Sequence, residues 1–401
     1  MATVFLIIIY LSFISLGLPD ALLGAAWPIM SIELNASLDS AGIISIMITI
    51  QTIISSLFSH KLISRFGTGK VTAFSVLLTA GALLGISFSP SFIWLVLLAV
   101  PLGLGAGSVD AGLNNYVALY YKASHMNWLH CFWGIGATIG PLIMGRSLKF
   151  NNNWRGGYLT IGIIQSILVI VLFLAIPMWT RTEKSYKKEE DGKEPESNPN
   201  HNVPVLKIKG VTTAMLAFFF YCGTELSAGL WGASFLVHIK GLAPATAASW
   251  ISLYYGGITM GRFISGFVTT KLSSKTMIRS GQIIALTGSV LLWLPFHPVF
   301  SLIGFILIGL GCAPIYPSML HEIPKQFGKE DSSRIMGLQM ASAYTGCLIL
   351  PPILGFIASK LGIAILPVCL ITFITSMLLS AERVNIMRKK EAANLLSHSQ
   401  A

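Results

Sequence analysis

Charge is what this 401-residue chain has least of: Asp, Glu, Lys and Arg together make up 11% of it. A water-soluble domain carries about a quarter charged residues, so a soluble globule is excluded. Cysteine is scarce as well. The five present, Cys131, Cys222, Cys312, Cys347 and Cys369, fall inside apolar runs with no partner at metal-binding spacing. They read as small apolar filler. Also missing are a nucleotide-binding loop, a zinc-ligand pattern and a nucleophile elbow. The nearest imitation, GLGAGS from Gly103, lies inside an apolar run with no strand before it and reads as helix packing. No enzymatic activity, metal or cofactor is therefore expected.

What is present is oil: 54% of the residues are hydrophobic, and the mean hydropathy is +0.72. A helix of about twenty apolar residues spans a bilayer and closes its own backbone hydrogen bonds. The chain divides into about twelve such runs, near 4–30, 40–60, 70–89, 92–119, 126–148, 155–178, 211–238, 245–270, 279–296, 299–321, 334–358 and 362–381. The expectation is an all-α membrane protein of twelve transmembrane helices. The first run lacks a basic leader and reads as a span, not a removable signal.

A net charge of +11 fits either nucleic acid or an anionic membrane surface, and the position of the charges decides. With the N-terminus in the cytoplasm, most of the 27 Lys and Arg fall on inner connections and the tail. That bias predicts both termini cytoplasmic, in a bacterial cytoplasmic membrane. Arg146, Lys149 and Arg155 cluster on the other side. The segment RTEKSYKKEEDGKEPESNPNHNVPVLKIK is mixed-charge and turn-rich and cannot build a core. The expected organisation is a six-helix half over 1–180, a charged cytoplasmic linker over 181–209, a second six-helix half over 210–384 and a tail over 385–401.

The halves echo each other. Asp20 precedes Trp27 in the first run, and Glu225 precedes Trp231 in the seventh; GIGATIGPLIMG in the fifth answers YTGCLILPPILG in the eleventh. Two pseudo-symmetric halves around a charged linker resemble the major facilitator superfamily. An acid at a helix centre costs about 2.5–3.5 kcal/mol to insert, so Asp20 and Glu225 are expected to face a polar cavity. There a carboxyl can bind and release a proton.

The fourth run holds Asp110 and Asn114, four apart and on one face. The fifth opens NWLHCFW, with Asn127, His130 and Trp133 at three-residue spacing. These residues resemble the fucose–proton symporter-like sugar transporters of that superfamily. The family's fourth-helix acid, four residues before an Asn, is tied to proton binding and is matched by Asp110 and Asn114. Its fifth-helix Asn-x-x-Gln-x-Phe-Asn stretch touches sugar and corresponds to Asn127, His130, Phe132 and Trp133. Its first-helix acid aligns with Gly24, one turn after Asp20. HKLISRFGTGK and GRFISG resemble the superfamily's Gly-rich basic loop and its second-half copy, which implies gating roles for Arg65 and Arg262; Ser64 replaces the usual acid of the loop.

Of the nine tryptophans, Trp94, Trp154, Trp179 and Trp250 lie near run ends, where an aromatic belt is expected. Trp133 and Trp231 lie deeper and suit stacking on a sugar ring, and Tyr254 and Tyr255 are further candidates for the cavity. The reading is a monomeric proton-coupled importer of a sugar or similar small polar solute, using Asp110, Asp20 and Glu225 for protons. Asn114, Asn127, His130, Trp133, Trp231, Tyr254 and Tyr255 are the candidate substrate contacts. A proton-driven exporter of amphipathic compounds is the alternative, and a sensor that kept the fold without transport is a third reading.

Overall fold

The computed structural model describes residues 2–121, 123–150, 153–190, 205–269, 271–295 and 297–399. Among these the chain is helical throughout, with no strand. In the first half run α1 (Ala2–Asp20), α2 (Leu22–Glu33), α3 (Ser40–Phe66), α4 (Thr68–Ser87), α5 (Phe92–Tyr120), α6 (Ala123–Lys149) and α7 (Trp154–Glu190). In the second run α8 (Val211–His238), α9 (Pro244–Val268), α10 (Ser274–Trp293), α11 (Pro298–Cys312), α12 (Ile315–Phe327), α13 (Lys329–Leu361) and α14 (Leu366–Ser399). α1 with α2, and α11 with α12, each form one interrupted rod, so fourteen helices make the twelve rods expected. Nine of these, among the described residues, are long and apolar enough to cross a membrane. The other three, α6, α9 and α10, are more polar because they carry groups such as His130, Arg262 and Arg279. Linker residues 191–204 lie outside the described ones, and helix α7 continues to Glu190.

The rods follow the sequence runs closely because each is apolar enough to need lipid or another helix on every side. Leu57, Phe88 and Leu174 are each more than 70% exposed, as a lipid-facing surface requires. Six rods per half put the start of α1, the end of α7, the start of α8 and the end of α14 on one face, here the terminal face; the opposite one is the far face.

The break between α1 and α2 has a local cause. Pro19 has no N–H to give to the carbonyl of Ser15, four residues back. That carbonyl instead accepts from Gln165 Nε2 at 2.6 Å, and Thr79 Oγ1 donates to Gln165 Oε1 at 2.8 Å. One buried amide on α7 thus ties α1, α4 and α7 together at mid-depth. α1 ends at Asp20, and α2 starts one residue later.

The pseudo-symmetry seen in the sequence reappears in the packing. α1 lies against α6 through Gly136 on Ile14 and Leu18, and α8 lies against α13 through Gly346 on Phe219. The indole N–H of Trp27 donates to Leu38 O at 2.9 Å, and that of Trp231 to Pro351 O at 2.8 Å. Each echoing tryptophan thus ties down its helix, but to different partners, Trp27 to the turn before α3 and Trp231 to α13. In α5 the glycine run packs two neighbours at once. A Cβ on Gly103 would strike the backbone of Ile48, and one on Gly105 the carbonyl of Ser75. Small residues let helices approach this closely.

The halves meet at the far face. Gly42 sits on Pro352, Gly24 on Gly229 and Leu230, and Gly145 on Ala245 and Ser249. The misplaced basic cluster finds a partial explanation here. Arg155 is ion-paired to Glu33, which also accepts from Trp154 Nε1 at 2.5 Å, and Arg155 donates to Ser89 O at 2.9 Å. Its charge is spent inside the protein. The belt expectation holds for Trp94, 49% exposed, and fails for Trp154 and Trp179. The first is buried at the Glu33 corner, and the second packs edge-on against Phe5.

Replacing Gln165 by Leu leaves the Ser15 carbonyl without its partner, while the Thr79 hydroxyl keeps its bond to Val76 O at 2.9 Å. An interhelical hydrogen bond in a membrane contributes about 0.6–1.7 kcal/mol. Gln165→Leu is expected to lower unfolding stability by about 1 kcal/mol, measured by steric trapping or thermal melting in detergent, while Gln165→Glu at low pH retains most of it.

Candidate functional site

Between the halves lies a cavity of about 270 Å³. Its polar wall centres on the α1–α2 break. Ending α1 at Asp20 leaves that carboxylate exposed to the cavity. Trp133 Nε1 on α6 donates to Asp20 Oδ2 at 2.7 Å. Over the face of that indole, the Arg262 guanidinium of α9 lies 4.9 Å from the ring centroid. Arg262 reaches Glu225 Oε1 on α8 at 3.7 Å, and Tyr221 donates a short hydrogen bond to Glu225 Oε2. Tyr254 donates to the Glu225 backbone carbonyl at 2.8 Å. A continuous chain of contacts, Asp20–Trp133–Arg262–Glu225–Tyr221, thus crosses from one half to the other.

The two acids are not equivalent. Glu225 has a cation at hand. Among the described residues no cation is ion-paired with Asp20; Arg262 stands on the face of the indole that bonds it and is itself paired with Glu225. An ionised carboxylate without a counter-charge at this depth needs a proton or an incoming cation.

Asp110 occupies a separate place. Asn114 Nδ2 donates to its Oδ1 at 2.8 Å and to its carbonyl at 2.9 Å, so the four-residue spacing makes the expected pair. The last α5 residue in the cavity wall is Ala106, one turn farther from the terminal face. Asp110 lies just below the cavity, within electrostatic reach of Tyr316 and Tyr344.

The other sequence candidates divide. Trp133, Tyr255, Asp20 and Glu225 line the cavity. Trp231 and Tyr254 are fully buried behind it, the first bonded to Pro351 O and the second to Glu225 O. His130 lies one turn below Trp133, its ring edge-on to Phe13 at 5.9 Å. The side chain of Asn127 lies outside the described ones. Arg65 is exposed at the terminal end of α3, 5.4 Å from the Phe66 ring. Arg262 is a member of the central chain rather than of the face where gating was expected.

The Gly24 alignment also finds its reason. A Cβ there would strike the backbone of Gly229 and Leu230 across the half interface. An acid cannot be seated at that turn with the far face closed, whereas Asp20 one turn earlier opens onto the cavity.

Sequence reading missed Tyr221, Cys222, Tyr344, Cys347 and Thr52. Tyr221 and Cys222 lie four and three residues before Glu225, so they share its helix face. Tyr344 and Cys347 repeat that spacing on α13. Cys347 Sγ approaches Cys222 O at 3.8 Å, and both residues line the cavity. The filler reading of the cysteines fits buried Cys312 and omits this pair.

This is a helical membrane protein of two similar halves around a cavity holding carboxylates and aromatic rings. The family model for the Major Facilitator Superfamily matches residues 9–221 and 213–398. The chain belongs to the major facilitator superfamily, whose members are transporters and not enzymes. It is 23% identical to the glucose/mannose transporter GlcP of Bacillus subtilis over 359 residues, 86% of each chain. It is 23% identical to the sodium-dependent glucose transporter 1 of Homo sapiens over 389 residues, 87% of this chain and 72% of that one. In fold it resembles a mutant of the nucleoside transporter NupG, with a TM-score of 0.72 at 14% identity over 95% of this chain and 98% of that one. It also resembles a bacterial homolog of the human lysosomal transporter Spinster, with a TM-score of 0.67 at 12% identity over 97% of this chain and 95% of that one.

A membrane-impermeant maleimide small enough to enter the cavity is expected to label Cys222 and Cys347 while sparing Cys312. Mass spectrometry of the labelled protein reads the difference, and equal labelling of all three would contradict the cavity as drawn.

Proposed function

We propose that this protein is a proton-coupled carrier that imports a sugar or similar small polar solute by alternating access. The observation that carries the reading is Asp20, exposed to the cavity with no cation ion-paired to it among the described residues. A proton arriving with the solute neutralises it, and its departure restores the charge. The solute lies against the Trp133 and Tyr255 rings, where apolar sugar faces stack, and Glu225 accepts from its hydroxyls. Asp110 with Asn114 forms a second proton station toward the terminal face. Arg262 acts as the inter-half tie, and Arg65 as a contact of the terminal face.

Support also comes from relatives, two of which are named for glucose or mannose transport. With both termini cytoplasmic, as the basic loops favour, closure at the far face leaves the cavity open to the cytoplasm. The domain plan follows: halves over 1–180 and 210–384, a linker over 181–209 and a tail over 385–401. The protein works as a monomer in the bacterial cytoplasmic membrane. A second reading, proton-driven export of amphipathic compounds, is favoured by the apolar part of the wall, including Leu23, Ile48 and Leu102.

The test is proton movement in proteoliposomes carrying a pH dye, challenged with hexoses and with lipophilic cations. External alkalinisation on adding one hexose is expected, independent of sodium. Asp20→Asn and Asp110→Asn should each abolish that movement while hexose counterflow persists. A response to lipophilic cations alone favours export, and a requirement for sodium overturns proton coupling.

A further inference from the structure

The cavity has a second compartment that the reading above does not use. Past Asp20 and Leu23 its wall turns into the amino-terminal half, toward the far face. There it is bounded by Met30, Ile44, Ile86, Leu95, Ala99 and Tyr158, from α2, α3, α4, α5 and α7. Each of the six is 5% exposed or less, yet all border open space. The carboxy-terminal half contributes no counterpart of this kind. Its share of the wall is Cys222, Glu225, Leu226, Leu230, Tyr255, Tyr344 and Cys347, at the centre of the molecule. The cavity is therefore lopsided, with a polar centre and an apolar side arm in one half.

The arm carries two polar groups, Tyr158 and, next to Ile44 on α3, Ser45. Tyr158 is 3% exposed, with its ring edge-on to Trp154 at 6.0 Å. Among the described residues its hydroxyl has no hydrogen-bond partner, and it borders the cavity. That hydroxyl opens onto the cavity with its bonding capacity free, and a ligand oxygen reaching the end of the arm would meet it. A free hexose, hydroxylated on every side, would place most of its hydroxyls against Ile44, Ile86 and Leu95, with Ser45 and Tyr158 alone among the arm residues able to bond them.

We propose that the arm is a subsite for an apolar aglycone, so that the preferred ligands are aryl glycosides rather than free sugars. This rests on the sugar reading above. The sugar lies at the centre between Asp20, Trp133 and Glu225. Its glycosidic substituent enters the arm past Leu23, and an oxygen at the far end of the aryl ring meets the Tyr158 hydroxyl.

The experiment is competition against counterflow of labelled glucose, galactose and mannose in proteoliposomes, using each hexose and its phenyl and 4-hydroxyphenyl glycosides. Apolar burial gains about fourfold in affinity per methylene-sized group. A phenyl glycoside of the carried hexose is therefore expected to compete at concentrations at least about tenfold below the hexose itself. The 4-hydroxyphenyl glycoside should gain about a further threefold, a modest value for one hydrogen bond. Ala99→Leu, which fills the arm, should remove the aryl advantage and leave competition by the free hexose unchanged. Tyr158→Phe should remove only the 4-hydroxyl increment. Phenyl glycosides no stronger than the hexose, or an aryl advantage that survives Ala99→Leu, would overturn the subsite and leave sugar transport standing. Absence of counterflow with any hexose, together with no binding of any glycoside, would overturn both. Measuring the aryl advantage on two variants keeps the proposal falsifiable if one of them does not fold.

Discussion

The indole of Trp133 is the piece on which the centre of this molecule depends. Its N–H holds the one cavity carboxylate that lacks a cation, and its face carries the guanidinium that holds the other. An Arg on an aromatic face contributes about 0.5–2 kcal/mol, the more so when removed from water. The indole is thus the junction through which charge in one half is felt in the other. The surrounding packing, with Gly134 against Thr259 and Trp128 tilted on Phe263, keeps α6 and α9 close enough for the contact to exist.

Several features that look unrelated in the chain serve this junction. Pro19 ends α1 where Asp20 is needed, and Gln165 satisfies the carbonyl that the proline leaves open. Glycines at the far face bring α2 onto α8 and α3 onto α13. With those backbones in contact, the cavity is closed on one side and its acids sit near the middle of the span. The Glu225 carboxylate is held from two directions, by Tyr221 and Arg262, and Tyr254 holds its backbone carbonyl. Asp20 is oriented by one. That asymmetry makes Asp20 the group whose charge state has the least to hold it fixed.

The fold was legible because membrane helices announce themselves residue by residue. Twelve apolar runs became twelve rods, and the Asp20–Trp27 and Glu225–Trp231 echo became two buried indoles that each tie their helix to a backbone carbonyl. Part of the site was legible for the same reason, since Asp20 and Glu225 had no other use for a charge at that depth. Other parts were not. Trp133 and Trp231 are alike in sequence, deep and near acids, yet one lines the cavity and the other fills a corner against Pro351. Which way an indole points depends on helix rotation, and an oily helix with little periodic contrast does not encode it. Arg262 was assigned to a gate through its GRFISG setting, and its bond to Glu225 depends on how α8 and α9 cross. The apolar arm is assembled from five helices, and no local pattern marks it.

The Trp133 junction couples the two halves and favours closure at the far face. The most direct measurement places spin labels at Ile32 on α2 and Ala243 before α9, in a background with the native cysteines replaced, and records the distance distribution between them in lipid. The account predicts a single short distance for the parent protein, with a second, longer population appearing in Trp133→Leu. An unchanged distribution in that variant would contradict it, and would return closure of the far face to the glycine contacts alone.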